Sequence, residues 1–316
     1  MSDQANRLRE LMRQTKKQGG WRAPTTRPGG EPTVASVAIS PLPVLPASSH
    51  ARVIVVTSGK GGVGKTNITV NLALALAKRG KRTVLFDADL GMANVDVILG
   101  VSPKASLADV IAGKKTLEEI LLPVCEGLTI VPGGSGIHEL ADLPQAELDG
   151  FVRKLRDLEG MADFILVDTG AGISRGVLNF VLAANEILLV TTPEPTAITD
   201  AYGLIKAIDQ HNPLAQVRLI INMAESELEA RAVAQKLIMI VDRFLEVEVS
   251  YLTFLERDPH VSRAVLQQAP FYTAFPYGPA TRRINLLATL LTEPDEGEEL
   301  PPPTPGFFSR LVGLIR

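Results

Sequence analysis

Short apolar runs alternate with helical patterns through most of this chain, and that alternation strongly constrains the fold. Seven runs of four to six residues predict strands, at 53–57, 83–87, 128–131, 164–168, 186–191, 217–222 and 247–252. Between them, helical periodicity covers stretches such as 65–79, 145–158, 196–210 and 226–244, which are long enough for right-handed crossovers. Strands buried on both faces are continuously apolar, as these are. The pattern predicts an α/β fold with a doubly wound, mostly parallel sheet of about seven or eight strands, within residues 51–292.

Composition narrows the class of protein. Hydrophobic residues make up 46% of the chain, which suits a folded core, and the net charge of −3 gives no overall positive field for nucleic acid. The single cysteine, Cys125, excludes a disulfide framework and a site of clustered thiolates. The four histidines lie far apart in sequence and are expected to be structural or exposed. No apolar run approaches 18 residues and the first residues are polar, so neither a membrane span nor a secretion signal is predicted, and a reducing cytosol is consistent.

A glycine-rich segment, GKGGVGKT at residues 59–66, joins the first predicted strand to the first long helix. It fits the pattern of Gly, four residues, Gly, Lys and then Ser or Thr, in which backbone N–H groups and a helix N-terminus surround phosphates. Lys65 is expected to contact the β and γ phosphates, and the Thr66 hydroxyl to ligate Mg²⁺. The predicted nucleotide-binding residues are Gly59, Gly61, Gly62, Val63, Gly64, Lys65, Thr66 and Asn67. Because strand, loop and helix come in the required order, a glycine turn that binds nothing is disfavoured.

Three aspartates follow predicted strands, at the sheet edge where ligands of such folds bind. Asp168 ends FILVD and precedes the small residues TGAG, so we expect it to hold Mg²⁺ through water. Asp89 leads into LGMANVD and can orient the attacking water. Asp87 is a candidate on the metal side, although a turn-forming role explains it equally well.

Lys60 is not required by the general phosphate-binding pattern. Together KGGVGKT, FDADLGMANVD and VDTGAG resemble the deviant-Walker ATPases of the MinD and ParA superfamily, over residues 51–292. The resemblance implies ATP and Mg²⁺ as ligands and a homodimer that forms on ATP binding, with Lys60 reaching the phosphates of the second copy. It also implies catalytic roles for Lys60, Lys65 and Asp89. Asn222 resembles the family's adenine-contacting asparagine, with the 275–279 loop as a second contact, but a capping or turn role stays open for Asn222.

The first 17 residues predict a basic amphipathic helix, which residues 18–50, rich in proline and glycine, would join to the core as a flexible linker. Its residues DQANRLR, from Asp3 to Arg9, resemble the DQAxxLR motif of the FlhG family, also called FleN, whose members regulate flagellar number and placement in bacteria. The resemblance implies that this helix stimulates the GTPase FlhF. Asp3, Gln4, Leu8 and Arg9 are the implied contacts, with Gln4 helping to order the partner's catalytic site. A solvated basic helix without a partner is the alternative.

The chain ends in a predicted acidic, proline-rich linker, 293–305, and an amphipathic helix, 306–316. Its apolar residues fall within an arc of about 160° on a helical wheel. They are Phe307, Phe308, Leu311, Val312, Leu314 and Ile315. The helix resembles the membrane-targeting sequence of MinD and FlhG, which implies a cytoplasmic protein attached to the inner face of the cell membrane, at the pole. Docking on the core is the alternative, and the acidic linker argues against tight docking.

Several other functions share parts of these patterns. A MinD-like regulator of the division site remains an alternative, as does a ParA-type segregation ATPase, although only Arg282 and Arg283 stand together late in the core to meet DNA. An iron–sulfur relative would need paired cysteines, and a tyrosine kinase of the superfamily would carry a tyrosine cluster. A nucleotide-sensing adaptor stays open. The FlhG resemblance also implies flagellar switch-ring proteins or a flagellar transcription regulator as further partners.

Overall fold

The computed structural model describes residues 51–89, 94–133, 145–184, 186–293 and 306–315. For residues 145–148, at the start of a helix, it describes the backbone alone. Eight strands form one sheet in the order β3-β4-β2-β5-β1-β6-β7-β8. They are β1 Arg52–Ser58, β2 Thr83–Ala88, β3 Leu122–Cys125, β4 Leu128–Val131, β5 Phe164–Ala171, β6 Glu186–Thr191, β7 Gln216–Ala224 and β8 Val249–Glu256. All neighbouring pairs are parallel except β3 with β4. The predicted fold class is confirmed.

Helices cover both faces of this sheet. The described residues contain α1 Lys65–Lys78, α2 Val95–Leu99, α3 Leu107–Ile111, α4 Leu117–Ile120, α5 Gln145–Met161, α6 Arg175–Ala183, α7 Pro195–Asp209, α8 Glu227–Phe244, α9 Pro259–Leu266, α10 Phe271–Ala274, α11 Pro279–Thr292 and α12 Phe307–Ile315. The strands supply alternate side chains to two apolar clusters: Val53 and Val55 of β1 join one, and Ile54 and Val56 join the other. Helices α1 and α11 bury their apolar faces in the second cluster. This two-sided burial explains the continuous apolar runs of the sequence.

The strand β3 is not among the runs that predicted strands. Its side chains alternate between half-buried and exposed, and it carries Pro123, which strand patterns disfavour. It lies at one edge of the sheet, where a missing backbone donor is tolerated. The shortest helices, such as α3 and α4, are likewise too brief for a helical period to be visible in sequence.

A buried ion pair fixes β1 at its amino end, opposite to the glycine-rich segment. Two nitrogens of the Arg52 guanidinium, Nε and Nη2, donate to the carboxylate of Glu186 on β6, at 2.7 and 2.6 Å. Arg52 Nη1 donates to the carbonyl of Leu291 at the end of α11. Bidentate geometry with further hydrogen bonds is what allows a buried pair to offset its loss of hydration. These contacts therefore fix the amino end of β1 to β6 and to α11.

The last helix packs on the core, which corrects the expectation that its acidic linker would prevent tight docking. Helix α12 lies against α5 and α6, and the rings of Phe307 and Phe308 are completely buried. The Phe308 ring centroid lies 5.8 Å from that of Phe86, on β2. Leu311 and Val312 are also buried, and Leu314 and Ile315 pack partly against the same cluster. Sequence shows that a helix has an apolar face but not whether the core offers a groove that fits it.

Polar contacts fix the start of this docked helix. The buried carboxylate of Glu159, on α5, accepts hydrogen bonds from the backbone N–H groups of Gly306 and Phe308, at 3.1 and 3.2 Å. Arg310 Nε donates to the carbonyl of Ala183 at 2.9 Å, and Arg156 Nε donates to Ser309 Oγ at 2.6 Å. A carboxylate at a helix N-terminus satisfies free donors and suits the helix dipole. Within the described residues, no helix is long and apolar enough to cross a bilayer.

Candidate functional site

The glycine-rich segment forms a tight loop between the end of β1 and the start of α1, as predicted. Gly62 and Gly64 have φ angles of +80° and +90°, which favour glycine. A Cβ on Gly59 would lie 2.3 Å from the backbone carbonyl of Asp200 on α7, so a side chain cannot fit there. Helix α1 carries no acidic residue in its first turn, so its free N–H groups keep their positive field. We call residues 59–66 the P-loop.

A cavity of about 900 Å³ opens over this loop, which is within the usual size of ligand sites. Its lining combines Gly61, Gly62, Val63, Gly64, Lys65, Thr66 and Asn67 with Asp89, Asn94, Ala171, Met223 and the exposed side of α9. A smaller cavity of about 120 Å³ adjoins it, between Asn67, Asn222 and the segment that follows β8. The structure therefore brings the predicted loop and Asp89 to one concave surface.

The side chains of Lys65 and Asp168 lie close together at the carboxyl end of the P-loop. Lys65 Nζ lies 3.4 Å from Asp168 Oδ1, and both side chains are buried. Thr69 Oγ1 donates to the same carboxylate oxygen, at 3.0 Å. Burial raises the pKa of Asp168, while Lys65 and the hydroxyls of Thr66 and Thr69 act in the opposite direction. The Lys65 ammonium and the hydroxyls of Thr66 and Thr69 thus lie around the Asp168 carboxylate at the start of α1.

Asp87 and Asp168 are paired neighbours on β2 and β5, so two carboxyl groups share one buried strand end. Burial, with the proximity of Asp168 as a second cause, raises the pKa of Asp87 to about 8. Asp87 Oδ1 accepts a hydrogen bond of 3.1 Å from the backbone N–H of Asp89. Asp87 therefore helps to orient the segment that carries Asp89, and the turn role that we left open for it is part of what the structure shows.

Asp89 lies at the edge of the larger cavity, next to the segment that follows β5. A Cβ on Gly170, near the end of β5, would lie 3.5 Å from Asp89 Oδ1, an ordinary contact distance, so this carboxylate lies beside the end of β5. Gly172 donates from its backbone N–H to the carbonyl of Ser58 at 2.8 Å, which ties the segment after β5 to the start of the P-loop. A water in the cavity can be oriented from this position.

Lys60 belongs to the P-loop but is not among the residues that line the larger cavity. Its ammonium lies 2.8 Å from Glu194 Oε2 and 2.8 Å from Thr196 Oγ1, at the start of α7. Its side chain is 37% exposed. Sequence patterns gave no signal for Glu194, because the contact joins two positions 134 residues apart.

Asn222 lies at the end of β7 and is buried. Its Nδ2 donates to the carbonyl of Val63 in the P-loop, at 2.7 Å. It also lines the smaller cavity, opposite Phe271 and Ala280. The P-loop contact was not predicted from the sequence.

The oxygen atoms near the P-loop suit a Mg²⁺ ion whose other ligands are phosphates and water. The described residues contain no group of three or more His, Cys, Asp or Glu that could hold a metal ion. The Thr66 hydroxyl and the Asp168 carboxylate are hard oxygen ligands, and Mg²⁺ commonly takes only one or two such groups from a protein. The residues Asp3, Gln4, Leu8 and Arg9 lie outside the described part of the chain.

The sequence model of the CobQ/CobB/MinD/ParA nucleotide binding domain matches residues 54–271, more than two thirds of the chain. The chain belongs to this family. Within the MinD/ParA ATPases, Antiactivator FleN of Pseudomonas aeruginosa is 46% identical over 237 residues, which cover 75% of this chain and 85% of FleN. Flagellum site-determining protein YlxH of Helicobacter pylori is 36% identical over 84% of this chain and 91% of its own length. The chain is therefore a MinD/ParA ATPase of the FleN, or FlhG, group.

Solved structures of MinD have the same fold. MinD in the MinC:MinD cell division complex of Aquifex aeolicus matches with a TM-score of 0.63 at 30% identity, over 79% of this chain and 98% of that chain. MinD of Pyrococcus horikoshii, solved with Mg-ADP, matches with a TM-score of 0.62 at 28% identity, over 77% and 96% of the two chains. The P-loop ATPase activity predicted from the sequence is thus supported by family and by fold.

Proposed function

We propose that this ATPase regulates flagellar number and placement by dimerising on ATP and attaching to the inner face of the cell membrane at the pole. The name of the relative YlxH, a flagellum site-determining protein, supports the flagellar part. The observation that carries the dimerisation is the position of Lys60, which sits in the P-loop, partly exposed, and yet does not line its own protomer's cavity. A second copy facing this surface would place Lys60 near the phosphates bound by its partner.

The proposed hydrolysis divides its tasks among the residues around the cavity. P-loop N–H groups and Lys65 would hold the β and γ phosphates. Asn222 and the 275–279 loop are proposed to contact the base. Thr66 and Asp168, with Asp87 as a further candidate, would hold Mg²⁺, which would supply positive charge to the phosphate oxygens when bound. Asp89 orients the attacking water. Lys60 of the second copy neutralises charge that develops on transfer, as an arginine finger does.

Membrane attachment requires α12 to leave its groove. The residues proposed to enter the bilayer are those that pack on the core in this structure. A short amphipathic helix binds a bilayer weakly, but two helices on one dimer bind better through effective concentration. Dimerisation is therefore proposed to favour the membrane over the groove. Sedimentation with liposomes tests this: more protein should sediment with ATP than with ADP, and equal amounts would contradict it.

FlhF is the proposed partner of residues 1–17. The full chain should stimulate GTP hydrolysis by FlhF, and Gln4→Ala should remove most of that stimulation. Gln14→Ala is the matched control, since it removes a glutamine from the same segment outside the DQAxxLR motif. No stimulation by the unaltered chain would contradict the FlhF part. In that case a MinD-like regulator of the division site, favoured by the MinD folds described above, becomes the better proposal. Switch-ring proteins or a flagellar transcription regulator are proposed as further partners.

A further inference from the structure

The side chain of Asn222 is fixed against the backbone of the P-loop. Asn222 Nδ2 lies 2.7 Å from the carbonyl oxygen of Val63, which is 159 residues away in sequence. A carbonyl oxygen accepts and cannot donate, so the NH₂ end of the amide must face it. Asn222 belongs to β7, which is separated from β1 and its P-loop by β6. The contact therefore joins the loop to a strand that is not its neighbour.

Gly64 lies directly against the amide of Asn222. A Cβ on Gly64 would lie 2.3 Å from Asn222 Nδ2, closer than any side chain can come. The φ angle of Gly64 is +90°, so glycine is required there for conformation as well as for space. The loop and the amide thus approach each other at the point where α1 begins.

Met223 holds the end of β7 in an uncommon conformation. Its φ angle is +58°, a value that non-glycine residues rarely adopt. The pairing of β7 with β8 shifts register between Ile221 and Ala224, so the irregularity brackets Asn222. Strain of this kind persists only where surrounding structure enforces it, and it is often found at functional sites.

The planarity of the peptide bond gives the contact a consequence for phosphate binding. The Val63 carbonyl and the Gly64 N–H belong to one peptide unit, and in a trans peptide they point in opposite directions. A hydrogen bond that fixes the carbonyl therefore fixes the direction of the N–H. Val63 and Gly64 both line the cavity over the P-loop.

We propose that Asn222 is a positioning residue for the triphosphate: by holding the Val63 carbonyl, it aims the Gly64 N–H into the phosphate site. This role does not depend on any contact between Asn222 and the base. It rests on the P-loop being the triphosphate site of the proposed function. It predicts that Asn222 affects the binding of ligands that have phosphates and no base.

Asn222→Leu tests this role, because leucine has a similar shape and no hydrogen-bonding group. Its affinity for Mg²⁺ with tripolyphosphate and for Mg²⁺ with ATP would be measured by calorimetry and compared with the unaltered chain. We expect the tripolyphosphate affinity to fall by a factor of about ten, the ratio that ~1.4 kcal/mol produces, and the ATP affinity to fall by at least as much. A loss of ATP affinity with unchanged tripolyphosphate affinity would show that Asn222 acts on the base, and would overturn the proposal.

Thr281→Val is a matched control for the loss of a buried hydrogen bond. Thr281 Oγ1 donates to the carbonyl of Phe275 at 2.8 Å, so its hydrogen bond is made outside the P-loop. This variant should lower the melting temperature while tripolyphosphate affinity stays the same; an equal loss of affinity would overturn the proposal. Asn222→Ser, whose hydroxyl is too short to reach Val63, repeats the test if the leucine variant does not fold. If the unaltered chain binds neither ligand, the site assignment itself fails, an outcome distinct from the selective results above.

Discussion

Lys60 is held within its own chain: its Nζ lies 2.8 Å from Oε2 of Glu194. Glu194 directly precedes α7, and Thr196 in the first turn of that helix accepts from the same ammonium at 2.8 Å. The hydrogen bond from Lys60 is the main cause that lowers the pKa of Glu194 below its ordinary value. A lysine that acts on the phosphates of a second copy must first leave this ion pair.

Glu194→Gln should therefore favour dimerisation. The neutral amide holds Lys60 less strongly, so less protein is needed to reach half-maximal ATPase activity. Exposed ion pairs are weak, and we expect a shift of about two- to fivefold. The measurement is ATPase rate as a function of protein concentration. Glu293→Gln is the control, since it removes a comparably exposed carboxylate, the partner of Arg79. A shift to higher protein concentration in Glu194→Gln would mean that Glu194 assists dimerisation instead.

Substitutions of the two P-loop lysines should affect different quantities, one the binding of ATP and the other its turnover. Lys65→Ala removes a buried cation from beside Asp168, so ATP affinity should fall by about a hundredfold or more. Lys60→Ala leaves the cavity lining intact, so ATP should still bind while the steady-state ATPase rate is lost. Calorimetry with ATP and a phosphate-release assay on each variant check both statements. Loss of ATP binding in Lys60→Ala would place this lysine in its own protomer's site.

The stability of the nucleotide-free, Mg²⁺-free protein should fall as pH rises. The pKa of Asp87 is raised from 3.8 to about 8 by burial and by Asp168. Between these values the folded chain keeps a proton that the unfolded chain has lost. The free energy of unfolding therefore decreases with pH in this window, by at most ~1.4 kcal/mol per pH unit from this group. Asp87→Asn should flatten the decrease, measured by urea unfolding from pH 5 to 8.

Asp163→Asn is the control for that pH series. Burial alone would raise the pKa of Asp163, but its hydrogen bonds with Arg82 lower it overall. Its contribution to stability is complete above the unfolded pKa of 3.8 and is lost only as pH falls below it. Its removal should thus lower stability by an amount that does not change from pH 5 to 8. The same pH slope in Asp87→Asn and in the unaltered chain would contradict the assignment to Asp87.

Removing Glu159 should loosen the docked last helix. Glu159→Ala takes away the acceptor of the Gly306 and Phe308 N–H groups, so α12 should leave its groove more often. More protein should then sediment with liposomes in the absence of ATP. Asp157→Ala, an exposed change on the same helix, should have no such effect. Unchanged sedimentation of Glu159→Ala would indicate that apolar packing alone holds the helix.

The sequence predicted the parts of this molecule that depend on local patterns. Runs such as 186–191 coincide with strands because burial on both faces requires continuous apolar residues, and the P-loop glycines mark the start of α1. It missed β3, whose Pro123 and half-exposed side chains give no strand pattern. Contacts between segments that are far apart in sequence were not predicted either, including those of Lys60 with Glu194 and of Asn222 with Val63.

The last helix shows clearly that a local sequence pattern predicts an element but not where that element packs. Its bounds were predicted to within one residue, because the apolar period is local. Its docking was not, since that depends on the groove beside Phe86 and on the buried carboxylate of Glu159, far away in sequence. Patterns identify a face that must be covered, and only the assembled core shows what covers it.

ATP is proposed to bring two copies of this chain together face to face. Asp89→Asn should bind ATP without hydrolysing it, which preserves the bound state for measurement. Light scattering after size exclusion, with saturating ATP and Mg²⁺, should give twice the 33.9 kDa of one chain, and with ADP a single mass. A mass of 33.9 kDa with bound ATP would contradict the claim.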